Sequence, residues 1–312
     1  MRRTILWLSL FTLVAPLGAQ APGQGAVLVT GASSGIGRKI TEALAARGSY
    51  VYAGARKAED IAELSRIPNV QGIRLDVTIP GDIAAAVETV RRGGRGLHGV
   101  VNNAGIAVVG PLIEHDDREL LDLFAVNTFG PFRITRAFAQ MLIESKGRVV
   151  TISSISGILS GPFLGAYSMS KHAVEAFGDA LGAEMARFGV HSALIEPGNY
   201  RSDIGRNTLA QVETAMARSK GTPFEQNMRN MATAMGMYDS YPEPDAVAAA
   251  AVHALFDPSP RVRYMVVPAA RQAEVTIRKA IDELVQLNAG HQFTYDRETL
   301  IRMLDESLAR NR

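Results

Sequence analysis

Residues 26–37 read AVLVTGASSGIG and predict a strand, a glycine-rich turn and the beginning of a helix. Ala26–Val29 is a continuous apolar run, which is typical of a strand that is covered on both faces of a parallel sheet. Gly31 suits a tight turn, Gly35 lets the backbone approach a ligand, and Gly37 lets helix and strand pack closely. The free N–H groups and the positive end of the following helix then favour a bound pyrophosphate.

Apolar segments and helical patterns alternate along most of the remaining chain, which predicts βαβ units and a parallel sheet. The predicted strands are residues 26–29, 50–53, 70–75, 99–101, 148–152, 190–195 and 262–267. The predicted helices are residues 38–47, 83–91, 117–128, 132–143 and 166–187. The fold class is therefore predicted to be α/β, with a doubly wound, seven-stranded parallel sheet (a Rossmann fold).

Domain organisation follows from where this alternation begins and ends. We expect a Rossmann-fold catalytic domain over residues 24–268, followed by a C-terminal helical extension over residues 269–312. Two amphipathic patterns support the extension, with apolar residues on one face of each predicted helix: Ile277, Ile281 and Leu284, then Ile301, Leu304 and Leu308.

Composition and charge exclude several classes of function. The 312 residues carry a formal net charge of +2, and the two excess positive charges are those of Arg2 and Arg3. The rest of the chain is formally neutral, so no nucleic-acid-binding surface is predicted. The absence of cysteine excludes disulfides, thiolate catalysis and cysteine-bound metals, and we predict no metal site.

Residues 1–21 differ from the rest of the chain. A short basic start precedes the apolar run Thr4–Leu17, and Ala19 and Ala21 fit a cleavage site. The run is shorter than the ~20 residues that cross a bilayer, so a cleaved signal peptide is favoured over an N-terminal membrane anchor. The alternative is a buried or membrane-resting helix. Export, membrane association and, if the start is mis-assigned, a cytoplasmic location all stay open.

The end of the second predicted strand indicates which dinucleotide is bound. An acidic residue there would bind the ribose 2′-hydroxyl and repel a 2′-phosphate. This chain instead has Gly54-Ala55-Arg56-Lys57, with no acid before Glu59. Because a guanidinium can bind a phosphate through two hydrogen bonds, we expect NADP(H) to be favoured over NAD(H). The alternative is that Arg56 and Lys57 are solvated residues at a helix start.

A tyrosine and a lysine provide the candidate reacting centre. Tyr167 and Lys171 are four residues apart in a predicted helix and therefore share one face. A phenol titrates near pH 10, and an adjacent ammonium, together with an oxidised nicotinamide, favours its ionised form. Tyr167 is therefore the predicted general acid in reduction and general base in oxidation. Ser154 lies thirteen residues earlier, where it would polarise the substrate oxygen.

The glycine-rich turn, the segment Asn102-Asn103-Ala104-Gly105 and the spacing of Ser154, Tyr167 and Lys171 together resemble the motifs of the short-chain dehydrogenase/reductase family. The resemblance covers roughly residues 25–268 and is closest in character to retinol and steroid dehydrogenases. It implies hydride transfer between a nicotinamide and a carbonyl or alcohol. It also implies that Lys171 holds the nicotinamide ribose and that Asn127, a catalytic residue, holds the lysine and a relay water.

The same resemblance implies further cofactor contacts. Asp76 would contact adenine, although a turn residue is the alternative, and Ser202 stands where the family commonly has threonine. The segment 103–105 would line the adenosine, and residues 197–198 would pack on the nicotinamide. The predicted cofactor site comprises Gly31, Ser33, Ser34, Gly35, Ile36, Gly37, Arg56, Asp76, Val77, Asn103, Ala104, Gly105, Tyr167, Lys171, Pro197, Gly198 and Ser202.

The connection over about residues 200–241 is predicted to be a substrate lid. Flexible apolar side chains favour a pliable pocket for a bulky apolar alcohol or ketone; here they are Met216, Met228, Met231, Met235 and Met237, with Ile158, Leu159, Phe163 and Leu164 nearby. The alternative is that the methionines only pack a helical hairpin.

Quaternary structure and function keep further alternatives. The resemblance implies a homodimer or homotetramer, because the family usually pairs through its long fourth and fifth helices. Membrane association through the N-terminal segment is a further expectation. A non-catalytic NADP(H)-binding sensor or scaffold, and an epimerase or dehydratase on the same fold, are the alternatives to an oxidoreductase.

Overall fold

Seven strands form one parallel sheet in the computed structural model, which describes residues 25–235 and 240–310. They are β1 (Ala26–Val29), β2 (Val51–Ala55), β3 (Val70–Arg74), β4 (Leu97–Asn102), β5 (Arg148–Ile152), β6 (His191–Pro197) and β7 (Arg263–Val266). Their order is β3-β2-β1-β4-β5-β6-β7. The order reverses between β1 and β4, and in open α/β sheets ligands bind in the crevice at such a point, beyond the carboxyl ends of the strands.

Helices flank this sheet, and eleven α-helices lie in the described residues. They are α1 (Gly35–Ala46), α2 (Ala58–Leu64), α3 (Pro80–Gly93), α4 (Asp117–Asn127), α5 (Phe129–Ser145), α6 (Gly165–Met185), α7 (Asp203–Arg218), α8 (Glu225–Met235), α9 (Asp245–Phe256), α10 (Ala270–Leu287) and α11 (Arg297–Arg310). The predicted doubly wound α/β fold with C-terminal helices is confirmed.

The residues of β1 show how both faces of the sheet are covered. Side chains alternate between faces along a strand. Val27 and Val29 therefore pack in the cluster that contains the buried residues of α1 and α9, whereas Leu28 packs with buried residues of α3 and α5. All four residues of β1 are 0% exposed. This burial explains why the strand is uniformly apolar rather than alternating.

The structure corrects several predicted boundaries. Strand ends differ by at most two residues, and β2 extends to Ala55 rather than ending at Ala53. The helices α2 and α9 were not predicted at all. In α2 only Leu64 is buried, so its sequence shows little apolar periodicity. The predicted lid is not a plain connection, because it contains α7 and α8.

The C-terminal helices have the predicted apolar faces, but the described residues do not cover them. In α10, Ile277 is 52% exposed, Ile281 53% and Leu284 49%. Thr276 is the buried residue of α10, and α11 has none. Within residues 25–235 and 240–310, no helix is long and apolar enough to cross a bilayer. The predicted leader, residues 1–21, lies outside the described residues.

Candidate active site

The glycine-rich turn has the conformation that its sequence predicts. Gly31 has φ +62° and Gly35 has φ +52°, a region that side chains with a Cβ rarely adopt. A Cβ at Gly37 would lie 2.2 Å from the Gly31 carbonyl oxygen and 2.3 Å from Asn103 Nδ2. Close packing of helix on turn therefore requires glycine at position 37, as predicted.

Hydrogen bonds between Thr30 and Asn103 join this turn to the end of β4. Thr30 Oγ1 accepts from the backbone N–H groups of Asn103 and Ala104, both at 3.0 Å. In return, Asn103 Nδ2 donates to the carbonyl oxygens of Thr30 and Gly31 at 3.0 and 2.9 Å. The sequence analysis assigned Thr30 no role of its own. Its contacts span more than 70 residues, so no local pattern could reveal them.

Arg56 and Asp76 lie at the carboxyl ends of β2 and β3, beside the glycine turn. Both line the cavity described below, as does Lys57. Asp76 also has the structural role weighed as its alternative, because its Oδ1 accepts from the backbone N–H and the hydroxyl of Thr78, at 2.9 and 2.6 Å. The carboxylate is therefore held in a fixed orientation at the cavity wall.

Three side chains of the reacting centre meet between β5 and α6. The hydroxyl groups of Tyr167 and Ser154 are hydrogen-bonded to each other. Ser154 also caps a short 3₁₀ turn, since its Oγ accepts from Ser156 N–H at 3.0 Å. Lys171 Nζ lies 5.7 Å from the centre of the Tyr167 ring and donates to the Ile152 carbonyl oxygen at 2.9 Å. The predicted triad is thus assembled in one place.

The pKa values differ from the prediction for the tyrosine. Burial raises the pKa of Tyr167 to about 12, although its hydrogen bond with Ser154 lowers it. Burial also lowers the pKa of Lys171 to about 8, and the negative charge of Glu175 partly opposes this. The groups of the chain alone therefore do not depress the pKa of Tyr167, because desolvation outweighs them. The effect of an oxidised nicotinamide on that pKa stays a prediction.

Asn127 is buried, but its side chain is used differently from the prediction. Its Oδ1 accepts from Ile106 N–H at 2.8 Å, and its Nδ2 donates to Ile106 O at 2.9 Å and to Ser170 Oγ at 3.0 Å. It makes no direct hydrogen bond with Lys171 among the described residues. Asn127 thus ties α4 to the segment after β4 and to α6, and its expected contact through a water stays a prediction.

A residue of the C-terminal extension reaches the segment after β6. Gln272 Oε1, in α10, accepts from the backbone N–H of Asn199 at 3.1 Å. It also occupies the space beside Gly198, where a Cβ would lie 2.0 Å from it. The sequence analysis missed this residue, because a polar residue in a C-terminal helix gives no signal that it contacts a segment 73 residues earlier.

The helices α7 and α8, in the predicted lid, are anchored to the segments after β4 and β5. Arg218 Nη1, at the end of α7, donates to Glu119 Oε2 in α4 at 2.7 Å. The rings of Phe163 and Phe224 add an edge-to-face contact at 6.3 Å. Met228 is fully buried, which matches the hairpin-packing alternative.

One cavity of about 690 Å³ joins these features. It is lined by all the predicted catalytic and cofactor-binding residues except Asn127, and by residues that were not predicted as site residues. The latter include Asp60, Ile106, Ser153, Asn199, Tyr200, Thr208 and Tyr241, whereas Leu159, Leu164 and Met231 were predicted to contribute to an apolar pocket. Met231 is the lid methionine that lines the cavity in the described part of the chain, and Met237 lies outside that part.

Comparison with known proteins agrees with a cavity that joins a nucleotide-binding turn to a serine, a tyrosine and a lysine. The model of the short chain dehydrogenase family matches residues 25–213. The chain belongs to the short-chain dehydrogenase family. It is 36% identical over 256 residues to an NADPH-dependent 3-dehydrocapnine reductase of Ornithobacterium rhinotracheale, covering 77% of this chain and 87% of that protein.

Two further similarities extend this result. The chain is 32% identical over 253 residues to mouse retinol dehydrogenase 5, covering 76% of this chain and 79% of that protein. A crystal structure of a short-chain dehydrogenase from Streptomyces avermitilis has a TM-score of 0.71 at 31% identity, covering 86% of this chain and 96% of that one. The protein is therefore a nucleotide-binding short-chain oxidoreductase that acts on alcohol or carbonyl groups.

Proposed function

We propose that this short-chain dehydrogenase is an NADP(H)-dependent oxidoreductase that interconverts a carbonyl and a secondary or primary alcohol on a bulky apolar substrate. The observation that carries the proposal is that Ser154, Tyr167 and Lys171 line the same cavity as the glycine turn. When bound, the nicotinamide supplies or accepts the hydride.

The side chains of the triad move and stabilise the proton. In reduction, the Tyr167 hydroxyl donates its proton to the substrate oxygen, and in oxidation its oxygen takes the proton back. Ser154, which is hydrogen-bonded to Tyr167, donates to the same substrate oxygen and orients it. The ammonium of Lys171, near the Tyr167 ring, stabilises the phenolate that forms as the proton leaves.

Two cations support the choice of NADP(H). Arg56 and Lys57 line the cavity beside β2, as do the carboxylates of Asp60 and Asp76. A guanidinium and an ammonium directly after β2, where an acid would bind a 2′-hydroxyl, favour a 2′-phosphate instead. The similarity to an NADPH-dependent reductase points to the same cofactor.

The far end of the cavity supports an apolar substrate. Leu159, Leu164 and Met231 line it near Tyr167. Such side chains bind an apolar body, while Ser154 and Tyr167 fix its single oxygen. The similarity to a retinol dehydrogenase is consistent with a substrate of this kind.

A direct assay tests the proposal. NADPH and NADH oxidation are followed with retinoid, steroid and aromatic aldehydes and ketones, and with small polar sugars for comparison. We expect NADPH and the apolar carbonyls to be preferred, and Tyr167→Phe to lower kcat/KM by about 10²-fold or more. Tyr50→Phe is the matched control, because that hydroxyl bonds Gln71 on the sheet edge instead.

Three results would reject parts of the proposal. Wild-type rates in Tyr167→Phe would remove the tyrosine from the mechanism. Good turnover with sugars alone would reject the apolar substrate. Tight NADPH binding without turnover of any carbonyl would favour the non-catalytic sensor.

A further inference from the structure

Behind the catalytic lysine, three carboxylates surround a single cation. Arg263 Nη2, on β7, lies 2.8 Å from Asp179 Oδ2 and 3.1 Å from Glu175 Oε2, both on α6. Arg263 Nε lies 3.2 Å from Glu196 Oε1, near the end of β6, without hydrogen-bond geometry. If all three carboxylates were ionised, the cluster would carry two unbalanced negative charges in a largely buried place.

Two of these carboxyl groups are well buried and contact the same guanidinium. The side chain of Glu196 is 3% exposed and that of Glu175 is 11% exposed, whereas Asp179 is 53% exposed. Glu175 and Glu196 both contact Arg263, and two ionised carboxylates in one buried place repel each other, which favours a proton on one of them. Burial raises the pKa of Glu196 to about 7, the charge of Glu175 raises it further, and Arg263 opposes this. Two carboxyl groups that interact in this way titrate as a pair.

This pair is packed against elements that form the active site. Glu175 follows Lys171 by one turn of α6, as Lys171 follows Tyr167. A Cβ at Gly157, in the 3₁₀ turn that Ser154 caps, would lie 2.8 Å from Glu175 Oε1 and 2.9 Å from Ser153 Oγ. Both of those buried oxygens lack a hydrogen-bond partner in the described residues.

The strand β6 connects the pair to the cofactor side of the cavity. Glu196 directly precedes Pro197 and Gly198, which line the cavity. The charged groups that face the pair are Lys171 and Asp179 on α6 and Arg263 on β7. The 3₁₀ turn and the end of β5 contribute the neutral Ser153.

We propose that Glu175 and Glu196 share one proton and act as a positioning pair that keeps the Lys171 ammonium charged beside Tyr167. With one proton, the pair carries a single negative charge, and that charge attracts the ammonium one turn away. Glu175, one helical turn away, is the carboxylate whose negative charge raises the pKa of Lys171. The proposal deepens the proposed function and rests on it only for its kinetic test.

The first test measures stability and needs no substrate. Glu196→Gln keeps the volume and polarity of the side chain but removes the titration of the shared proton. Between about pH 4.3 and about pH 7, Glu196 of the wild type keeps its proton in the folded protein and loses it in the unfolded chain. The free energy of unfolding therefore falls as the pH rises through this range. We expect the melting temperature of Glu196→Gln, relative to wild type, to rise by several degrees between pH 5 and pH 8.

A matched variant distinguishes this effect from a general change in charge. Asp179→Asn removes a carboxylate from the same arginine, but at an exposed site outside the pair. We expect its melting temperature to differ from wild type by the same amount at both pH values. An equally constant difference in Glu196→Gln would overturn the shared proton.

The second test is kinetic. Glu175→Gln removes the negative charge nearest Lys171, so the lysine should lose its proton at lower pH. We expect the basic limb of the kcat/KM profile to move down by about half a pH unit or more, with Asp179→Asn unchanged. An unmoved limb in Glu175→Gln would overturn the positioning role. Full activity in Tyr167→Phe would reject the proposed function instead, and the melting temperatures would still decide the shared proton.

Discussion

Lys171 Nζ donates a hydrogen bond of 2.9 Å to the backbone oxygen of Ile152, the last residue of β5. The lysine is 4% exposed, so its ammonium is desolvated and held by a neutral acceptor. The bond fixes α6 against the strand that leads directly into Ser154. The position of the Lys171 ammonium beside Tyr167 therefore depends both on their spacing in α6 and on a hydrogen bond to a backbone oxygen 19 residues earlier in the chain.

The depressed pKa of Lys171 predicts a dependence of stability on pH. Its pKa is about 8 in the folded protein and 10.5 in a model peptide. Between these values the unfolded chain binds the proton that the folded chain lacks, so the free energy of unfolding rises with pH. We expect Lys171→Met to lack this rise, which amounts to about 2 kcal/mol between pH 8 and pH 10.

Denaturant unfolding of the two proteins at pH 7, 8, 9 and 10 measures the difference. Lys57→Met, at an exposed position, serves as the control and should follow the wild-type curve. Parallel curves for wild type and Lys171→Met would contradict a lowered pKa.

Gly37 is predicted to tolerate no side chain. Alanine there would place its Cβ 2.2 Å from the Gly31 carbonyl oxygen, and because that atom is backbone, the turn itself must shift. We expect Gly37→Ala to weaken NADPH binding at least about 10-fold, corresponding to ~1.4 kcal/mol, and to lower the melting temperature. Titration calorimetry and thermal unfolding measure both effects.

Gly81→Ala is the matched control for that substitution. Gly81 lies in the first turn of α3 with nothing within 4 Å of an added Cβ. Replacing a helical glycine without strain stabilises by roughly 0.5–1 kcal/mol. The two substitutions should therefore change stability in opposite directions, and equal behaviour would mean that the turn is not constrained as described.

The glycine turn, the triad and the parallel sheet could be predicted because each follows from the spacing of residues that lie near one another in the sequence. Tyr167 and Lys171 share a helix face whatever surrounds the helix. Contacts between distant segments could not be predicted in this way. Gln272 meets Asn199 only because α10 folds back on the segment after β6, and the pairing of Glu175 with Glu196 depends on how α6 packs on β6.

Two other predictions concern residues whose surroundings the motifs do not specify. Asn127 was expected to hold the lysine, but the direct hydrogen bonds of its amide go to Ile106 and Ser170. The phenol of Tyr167 was expected to be acidic, but the local pattern does not report desolvation, which dominates its pKa. The expected homo-oligomer and the fate of the leader stay predictions.

Arg56 should determine the choice of cofactor. A charge-assisted hydrogen bond to phosphate is worth about 1.5–3 kcal/mol, and Arg56 lines the cavity beside β2. We expect Arg56→Ala to raise the Kd of NADPH about 10- to 100-fold and to leave that of NADH within about 3-fold. Fluorescence titration with both nucleotides measures this. Arg66→Ala, near the end of α2 and away from the cavity, is the control, and equal losses for NADPH and NADH would contradict a 2′-phosphate contact.

Arg218 should control the lid rather than the chemistry. Its guanidinium bonds Glu119 in α4 and lies 3.3 Å from His115 Nδ1, so it holds the end of α7, part of the predicted lid, against α4. Both partners are partly buried, and such charge-assisted contacts exceed those of surface pairs. We expect Arg218→Ala to raise KM for a bulky carbonyl about 5- to 10-fold while NADPH affinity stays unchanged. Arg229→Ala breaks an ion pair between two residues of α8. It should change neither KM nor NADPH affinity, because that pair connects α8 to no other helix. A rise in KM in both variants would show that the lid responds to any loss of charge rather than to its anchor on α4.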